Sequence, residues 1–192
     1  MTNIIELQTT RLKLRQWQPS DYSHFAVMNA DPEQMQFYPW LLTTDESNAL
    51  ADRFRSLITQ QGWGFWAVEH IEDGKFIGFV GLHRPTYELA FTPCVEIGWR
   101  IAKQYWRNGY ATEAASAVLR AAFECVGLME VLAFTAVINH KSQAVMRRLH
   151  VINTQQNFEH PLVPENHPLR EHVLYRMDKL QWMKLNIQAI PS

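Results

Sequence analysis

The sequence predicts an α+β domain in which one mixed, mostly antiparallel sheet is flanked by helices. Three observations lead to this class. Arg11–Trp17 alternates apolar and polar residues, as a half-buried strand does. Two apolar runs at 64–70 and 75–83 are separated by a turn that contains an Asp-Gly step, which favours a tight antiparallel hairpin. A strongly periodic helical stretch after Gly109 leads into the β-rich run Val131–Ile138, as in a crossover between parallel strands.

The first third of the chain supplies one strand and two helices. Pro19-Ser20-Asp21 begins the first helix, because Ser and Asp side chains can cap its free N–H groups. Residues 43–46 (Thr-Thr-Asp-Glu) precede a second helix over roughly residues 46–60. The apolar residues of that helix share one face, namely Leu50, Phe54, Leu57 and Ile58.

The middle of the chain supplies the strands that follow the hairpin. Cys94–Ile101 is a predicted strand, and the helix after Gly109 is expected to stop at Gly127. Val131–Ile138 is almost wholly apolar, so we expect a strand that is covered on both faces. Because a helix connects the two strands, Val131–Ile138 should lie parallel to Cys94–Ile101.

The last third contains a short helix, a loop and a final strand. Asn139 opens a helix that runs through Leu149. Val151–Leu169 contains three prolines and little periodicity, so we predict a long loop. His172–Met177 is the last strand that the pattern predicts. We expect one domain with a central sheet of about seven strands. We expect a core over about residues 9–178 and a C-terminal tail over 179–192.

Composition excludes several classes of function. The chain has 192 residues and a formal net charge of −1, which argues against a protein that binds duplex nucleic acid. No apolar run approaches the length that spans a membrane, and the first residues do not form a signal pattern. The two cysteines belong to no CxxC pair, which argues against a disulfide framework. We therefore expect a cytoplasmic protein.

One stretch combines small residues with the start of a helix. Tyr105–Ala115 reads YWRNGYATEAA, with Gly109 and Ala111 between bulky aromatic residues and a run of alanines. The first turn of a helix leaves N–H groups unpaired at the positive end of its macrodipole. A diphosphate can accept these hydrogens where no side chain blocks its approach. The alternative is that the small residues serve only helix–sheet packing.

Three motifs resemble a known family. EIGWRI, WRNGYATEAA and INHKSQAVMRRL are similar to the acetyl-CoA-binding core of the GCN5-related N-acetyltransferase (GNAT) superfamily. Within it, the chain resembles the ribosomal-protein N-terminal (RimJ/RimL-type) acetyltransferases. The resemblance implies acetyl-CoA as co-substrate, an amine acceptor, and a sheet that splays between its two parallel central strands. The family signature for the pyrophosphate falls on Trp106–Ala111, with Trp106 where many members carry Gln or Arg and Arg107 where many carry Gly.

The resemblance also implies a set of residues that bind the coenzyme. Main-chain groups at the end of the strand would pair with pantetheine, and an Asn-x-x-Ser pattern would lie beside it. The predicted set is Trp99, Arg100, Ile101, Trp106, Arg107, Asn108, Gly109, Tyr110, Ala111, Thr112, Asn139 and Ser142. Asn139 can equally be a helix N-cap. His150 stands where relatives have a glycine, and histidine is tolerable there only if the position does not need a strongly positive φ.

The superfamily reaction is direct attack of an amine on the thioester, which requires a neutral amine. Glu96 is the first candidate for the base, because its side chain shares a face of the strand with Gly98 and Arg100. The alternative is an ion pair with an arginine. His83 is the second candidate, and Tyr175 stands in for the tyrosine that acts as an acid in many relatives.

Several alternatives stay open. His160, His167 and His172 lie near glutamates, but their spacing matches no zinc pattern, so we expect no metal. A non-catalytic acyl-CoA sensor would keep the pocket without proton transfer. A dinucleotide-dependent oxidoreductase would need a Gly-x-Gly-x-x-Gly motif, which the chain does not contain. The amine acceptor is not specified, and dimers are common in the branch that the chain resembles, which leaves a homodimer open.

Overall fold

The computed structural model describes residues 2–187, which form a nine-stranded sheet with helices on both faces. The strands are β1 Leu7–Gln8, β2 Leu12–Arg15, β3 Phe65–His70, β4 Lys75–His83, β5 Glu96–Ile101, β6 Glu130–Ala136, β7 Ile152–Asn153, β8 Phe158–Glu159 and β9 Glu171–Asp178. The helices are α1 Asp21–Ala30, α2 Thr44–Gln61, α3 Tyr110–Glu124, α4 His140–Arg148 and α5 Lys179–Ile187, with a 3₁₀ turn at Lys103–Tyr105.

The sheet has the order β1-β2-β3-β4-β5-β6-β9-β7, and β8 also pairs with β9. All pairs are antiparallel except β5 and β6. This confirms the prediction that the strand after the crossover helix lies parallel to the strand before it. The parallel ladder has a single register pair, Glu96 with Leu132.

The two faces of the sheet carry different helices. Phe79 and Arg100 are cross-strand neighbours, and their side chains contact Phe25 and Asn29 of α1. We call this side the α1 face. Trp99 points to the opposite side and reaches α4. That side also carries α3, and we call it the α3 face.

Local sequence explains where the main helices begin and end. The Thr43 hydroxyl accepts the Glu46 N–H and the Glu46 carboxylate accepts the Thr43 N–H, which is a complete capping box for α2. In α3, small residues let the helix lie close to the sheet, and Ala114, Ala115 and Val118 are fully buried. Gly127 follows α3 with a φ of 78°, as expected for a helix stop.

The structure differs from the predicted elements in four places. Strand β1 (Leu7–Gln8), which pairs with β2, lies before the predicted core and was not predicted. The predicted loop over Val151–Leu169 contains the short strands β7 and β8, which β9 holds by pairing. The predicted tail begins with helix α5, while residues 188–192 lie outside the described residues. Val131–Ile138 was expected to be covered on both faces, but Phe134 and Thr135 are half-exposed. Over residues 2–187, no helix is long and apolar enough to cross a membrane.

Candidate active site

The turn before α3 presents a row of free N–H groups. No carbonyl or side chain of the described residues accepts a hydrogen bond from the backbone N–H of residues 107–112. The first paired amide is that of Glu113, which donates to the Gly109 carbonyl at 3.0 Å. Because the turn lies at the positive end of the α3 macrodipole, these amides form a site suited to an anion.

Two residues of this turn have a left-handed backbone. Gly109, the N-cap of α3, has a φ of 81°, and Arg107 has a φ of 64°. Left-handed residues in a turn are typical of an anion-binding nest, in which successive N–H groups point to one side. Arg107 adopts a conformation that glycine adopts without strain. This explains why the family prefers glycine at that position.

Cationic side chains surround the turn. The Lys141 ammonium lies 4.2 Å from the centre of the Trp106 ring, and the Arg11 guanidinium lies 4.5 Å from the centre of the Tyr110 ring. Arg11 also forms an ion pair of 2.6 Å with Glu113, which neutralises part of its charge. Sequence reasoning did not find Arg11 or Lys141, because each is brought to the turn from another element of the fold.

The strands that follow the single parallel pair diverge. The Leu132 N–H donates to the Val95 carbonyl at 2.9 Å, and no main-chain bond joins β5 and β6 beyond residue 97 in the described chain. This bond shows that odd-numbered residues of β5 direct their peptide groups toward β6. Trp99 and Ile101 therefore face the gap, whereas the peptide groups of Arg100 face β4.

The gap is partly filled at its open end. The Ile101 carbonyl accepts hydrogen bonds from Trp106 Nε1 at 2.7 Å and from Gln34 Nε2 at 3.1 Å. The Arg100 side chain lies on the α1 face and not in the gap. Its guanidinium donates to Asn29 and stacks on Tyr38. Three β5 residues were predicted to offer main-chain groups. Among the described residues, only the N–H and the carbonyl of Trp99 are both without a partner.

Asn139 and Ser142 lie beside the gap on the α3 face. The Asn139 side chain accepts the Ser142 N–H at 3.2 Å, so the N-cap interpretation of Asn139 is confirmed. The Ser142 hydroxyl accepts a hydrogen bond from Trp99 Nε1 at 3.2 Å, which links α4 to β5. The Asn-x-x-Ser pattern and the end of β5 are thus in direct contact.

Glu96 lies at the closed end of the gap and faces α1. It is the register partner of both His83 and Leu132. The Glu96 carboxylate is in no ion pair or hydrogen bond with a described residue, so the alternative of an arginine partner has no support. Burial raises the pKa of Glu96 to about 8. Burial and the charge of Arg53 lower the pKa of His83 below its ordinary value.

Tyr175 lies on the other face of the sheet. Arg176 pairs with Leu132 and so shares the α1 face with Glu96, which puts the neighbouring Tyr175 on the α3 face. Its side chain is 3% exposed, and its hydroxyl lies 3.5 Å from Gln143 Oε1. The structure therefore brings Glu96 and His83 together but not Tyr175.

An aromatic cluster on the α1 face was missed by sequence reasoning. Its members are Tyr87, Phe91, Phe134, Phe158, His160 and His172. The Tyr87 hydroxyl lies 3.1 Å from His160 Nε2, and the His160 and His172 rings are 4.7 Å apart. Phe134 lies on the same face as Leu132, the register partner of Glu96, and its ring is 6.0 Å from the His160 ring, so the cluster lies near the carboxylate.

Two further features complete the surroundings. In the part of the chain that the structure describes, no group of three or more His, Cys, Asp or Glu side chains converges on a point. A cavity of about 490 Å³ adjoins the cluster on the α1 face, and Phe91, Leu132 and Leu174 are among its walls. A second cavity of about 500 Å³ lies against α5, away from the turn at 107–112.

Comparisons with known proteins agree with this geometry. A family model described as an acetyltransferase (GNAT) domain matches residues 11–152. The chain is 30% identical over 189 residues to the FsC-acetyl coenzyme A-N(2)-transacetylase of Aspergillus fumigatus, which covers 93% of this chain and 78% of that protein.

Solved structures share the fold at low sequence identity. An acetyltransferase of the GNAT family from Bacillus anthracis has a TM-score of 0.75 at 20% identity and covers 91% of this chain and 98% of its own. A spermidine N-acetyltransferase from Vibrio cholerae, solved with CoA and spermine, has a TM-score of 0.72 at 18% identity. The match covers 91% of this chain and 99% of that one.

Proposed function

Because the chain belongs to the GNAT acetyltransferase family, we propose that it transfers an acetyl group from acetyl-CoA to a primary amine. One observation carries the proposal. The free amides of residues 107–112 lie at the open end of a gap between β5 and β6, and a partnerless carboxylate, Glu96, lies at its closed end. An anion site at one end of the gap and a base at the other suit a long thioester that lies in the gap and an amine that approaches the base.

The residues of the turn fit the diphosphate of the coenzyme. The N–H groups of 107–112 would donate to its oxygens, and Arg107 and Lys141 would add positive charge. The pantetheine arm would follow the gap, where the peptide groups of Trp99 have no other partner. Asn139 and Ser142 would border it.

Acetyl-CoA supplies the activated thioester, and the protein supplies orientation and proton transfer. The amine nitrogen attacks the thioester carbon, a C–N bond forms, and the C–S bond breaks. One proton of the ammonium passes to Glu96 before the attack, directly or through one water, and the proton that the nitrogen releases as the amide forms passes to the departing thiolate or to water. A thiol pKa near 8.5 makes the thiolate a tolerable leaving group, so the reaction does not require Tyr175 as an acid.

The pKa of Glu96 favours an α-amino group as the acceptor. A peptide α-amine has a pKa of about 7.7–8.0, so proton transfer to a carboxylate with a pKa of about 8 is almost without cost. Transfer from a lysine ammonium with a pKa near 10.4 to the same carboxylate would cost roughly 3 kcal/mol. His83, neutral because its pKa is lowered, is the second candidate for the base.

Two finer assignments are part of the proposal. Trp106 occupies the first position of the pyrophosphate signature, and this resemblance supports membership in the RimJ/RimL-type branch. The name of the Aspergillus relative specifies transfer to an N(2) nitrogen, which supports an amine of a small molecule or peptide as the acceptor.

The experiment is a thiol-release assay with acetyl-CoA against peptides, amino-acid amides and polyamines, together with calorimetry of CoA binding. We expect turnover with at least one amine, at a rate that rises with pH and reaches half its maximum near the Glu96 pKa of about 8. Binding without turnover on every amine would favour the acyl-CoA sensor. No binding at all would refute both.

Glu96→Gln tests the role of the carboxylate. We expect kcat to fall by about 10²–10⁴-fold while the affinity for CoA stays unchanged. The pKa of Glu96 is about 8 in the folded state and about 4.5 in the unfolded state, so the folded state binds its proton more tightly. The resulting contribution to the free energy of unfolding is complete below about pH 4.5 and is lost as the pH rises through 8. The variant should therefore gain stability over the natural chain above pH 8. Glu72→Gln, in the exposed turn between β3 and β4, is the matched control.

A further inference from the structure

His160 has a defined tautomer in the cluster on the α1 face. The Leu162 N–H donates to His160 Nδ1 at 3.3 Å, so this nitrogen carries no hydrogen. Burial and the neighbouring His172 lower the pKa of His160 to about 4, so the ring is neutral at pH 7. The hydrogen of the neutral ring is therefore on Nε2, which faces Tyr87.

This tautomer fixes what the Tyr87 hydroxyl does. His160 Nε2–H donates to the Tyr87 oxygen across 3.1 Å, and the Tyr87 hydrogen is left without a protein acceptor among residues 2–187. Burial and the charge of Glu96 raise the pKa of Tyr87, so the hydroxyl stays protonated. Tyr87 is a poor acid for that reason, but it is a good hydrogen-bond donor.

The surroundings of the Tyr87 hydroxyl carry little charge. His160 and His172 are neutral because burial lowers both pKa values, and Phe91 and Phe134 supply apolar walls. Glu96 is the one acidic residue of β5, the strand that borders the gap. Low local dielectric strengthens a hydrogen bond from such a donor, and an uncharged carbonyl oxygen enters these surroundings at a much lower desolvation cost than a carboxylate.

We propose that Tyr87, held by His160, is a specificity-determining hydrogen-bond donor for an acceptor oxygen near the reacting amine. The proposal rests on the proposed function. It assigns the substrate class as primary amines that carry a carbonyl oxygen close to the nitrogen, in preference to simple alkyl amines and polyamines. The amine meets Glu96, the oxygen meets Tyr87, and the rest of the molecule extends into the cavity of about 490 Å³ that Phe91 borders.

Polyamines do not match the charges of the site. A second or third ammonium needs its own carboxylate, because an unpaired buried charge is costly. The cavity beside the cluster contains Glu130 and Asp178, but Arg176 lies within 3.3 Å of Glu130 and 3.9 Å of Asp178. These carboxylates already have a cationic partner.

The test compares Tyr87→Phe with the natural chain on two amines, L-leucinamide and 3-methylbutylamine, which is the same amine without the carboxamide. We expect kcat/KM for the amide to fall by about 10- to 100-fold and for the alkyl amine by less than about 3-fold. If neither is a substrate, the best carbonyl-bearing amine of the panel and its carbonyl-free analogue replace them. An equal loss on both amines would overturn the proposal, because Tyr87 would then act on the thioester.

Positioning by His160 has its own readout. Nitrogen-15 NMR of the His160 ring should show hydrogen on Nε2 at pH 7, and hydrogen on Nδ1 would overturn the argument. His160→Gln keeps a donor and should retain more selectivity for the amide than His160→Ala. Tyr22→Phe, which removes an exposed hydroxyl bonded to Asp52, is the control and should leave both rates unchanged. If the natural chain acetylates no amine, the proposed function fails, and the role of Tyr87 fails with it.

Discussion

Two residues next to helix ends have a left-handed backbone although they are not glycine. Arg107 precedes α3 with a φ of 64°, and His150 follows α4 with a φ of 58°. From the sequence, histidine is tolerable at position 150 only if the position does not need a strongly positive φ, and the structure does not meet this condition. The Val151 N–H closes the end of α4 onto the Met146 carbonyl at 3.0 Å, and that closure requires the left-handed turn. The sequence shows that histidine replaces glycine at position 150. The left-handed backbone there follows only from the hydrogen bonds at the end of α4.

His150→Gly should therefore stabilise the protein. The His150 side chain is exposed, and glycine adopts a φ of 58° without the strain that a Cβ causes. We expect a gain of about 0.5–1 kcal/mol in the free energy of unfolding, measured by urea denaturation. His140→Gly, at the exposed first residue of α4, is the control and should lose about the same amount. A loss at both positions would contradict the backbone argument.

At the scale of elements, the sequence predicted what local patterns determine. β4 was predicted with the bounds 75–83 that the structure has, because an apolar run and a turn define it. β7 and β8 were missed, since two-residue strands exist only through their pairing with β9. The Tyr87–His160 pair joins positions 73 residues apart, and nothing in either neighbourhood announces it.

Helix α3 offers an internal comparison for the anion site. Gly109 at its start and Gly127 after its end have φ values of 81° and 78°, so alanine suffers similar strain at both. Only Gly109 lies among the free amides of residues 107–112. We expect both Gly→Ala variants to lose about 1–2 kcal/mol of stability, whereas CoA affinity falls about 10-fold or more for Gly109→Ala alone.

Calorimetry of CoA binding to the folded variants measures this difference. An added Cβ at Gly127 meets no atom within 4 Å, so any loss of affinity there would reflect general destabilisation. Equal affinities for the two variants would mean that the diphosphate does not use this turn.

At the scale of the whole molecule, the sheet consists of two parts joined by one parallel pair. β1 to β5 form one part and β6 with β7 to β9 the other. Helix α3 contacts strands of both parts, and the Trp99–Ser142 bond joins β5 to α4. A coenzyme arm that pairs with β5 and lies against β6 would add a third connection.

Acetyl-CoA should therefore stabilise the whole fold, and not only the turn at 107–112 that we propose as its diphosphate site. At a concentration 100 times its Kd, a ligand that binds only the folded state adds about 2.7 kcal/mol, which raises Tm by about 5–10 °C in a chain of this size. Scanning calorimetry gives the shift, and hydrogen exchange should show slower exchange in both β5 and β6. ADP has the diphosphate but no arm, so it should protect the turn at 107–112 and leave the exchange of β6 unchanged. Equal protection of β6 by ADP and acetyl-CoA would contradict a pantetheine arm in the gap, because the arm is what would connect the two parts of the sheet.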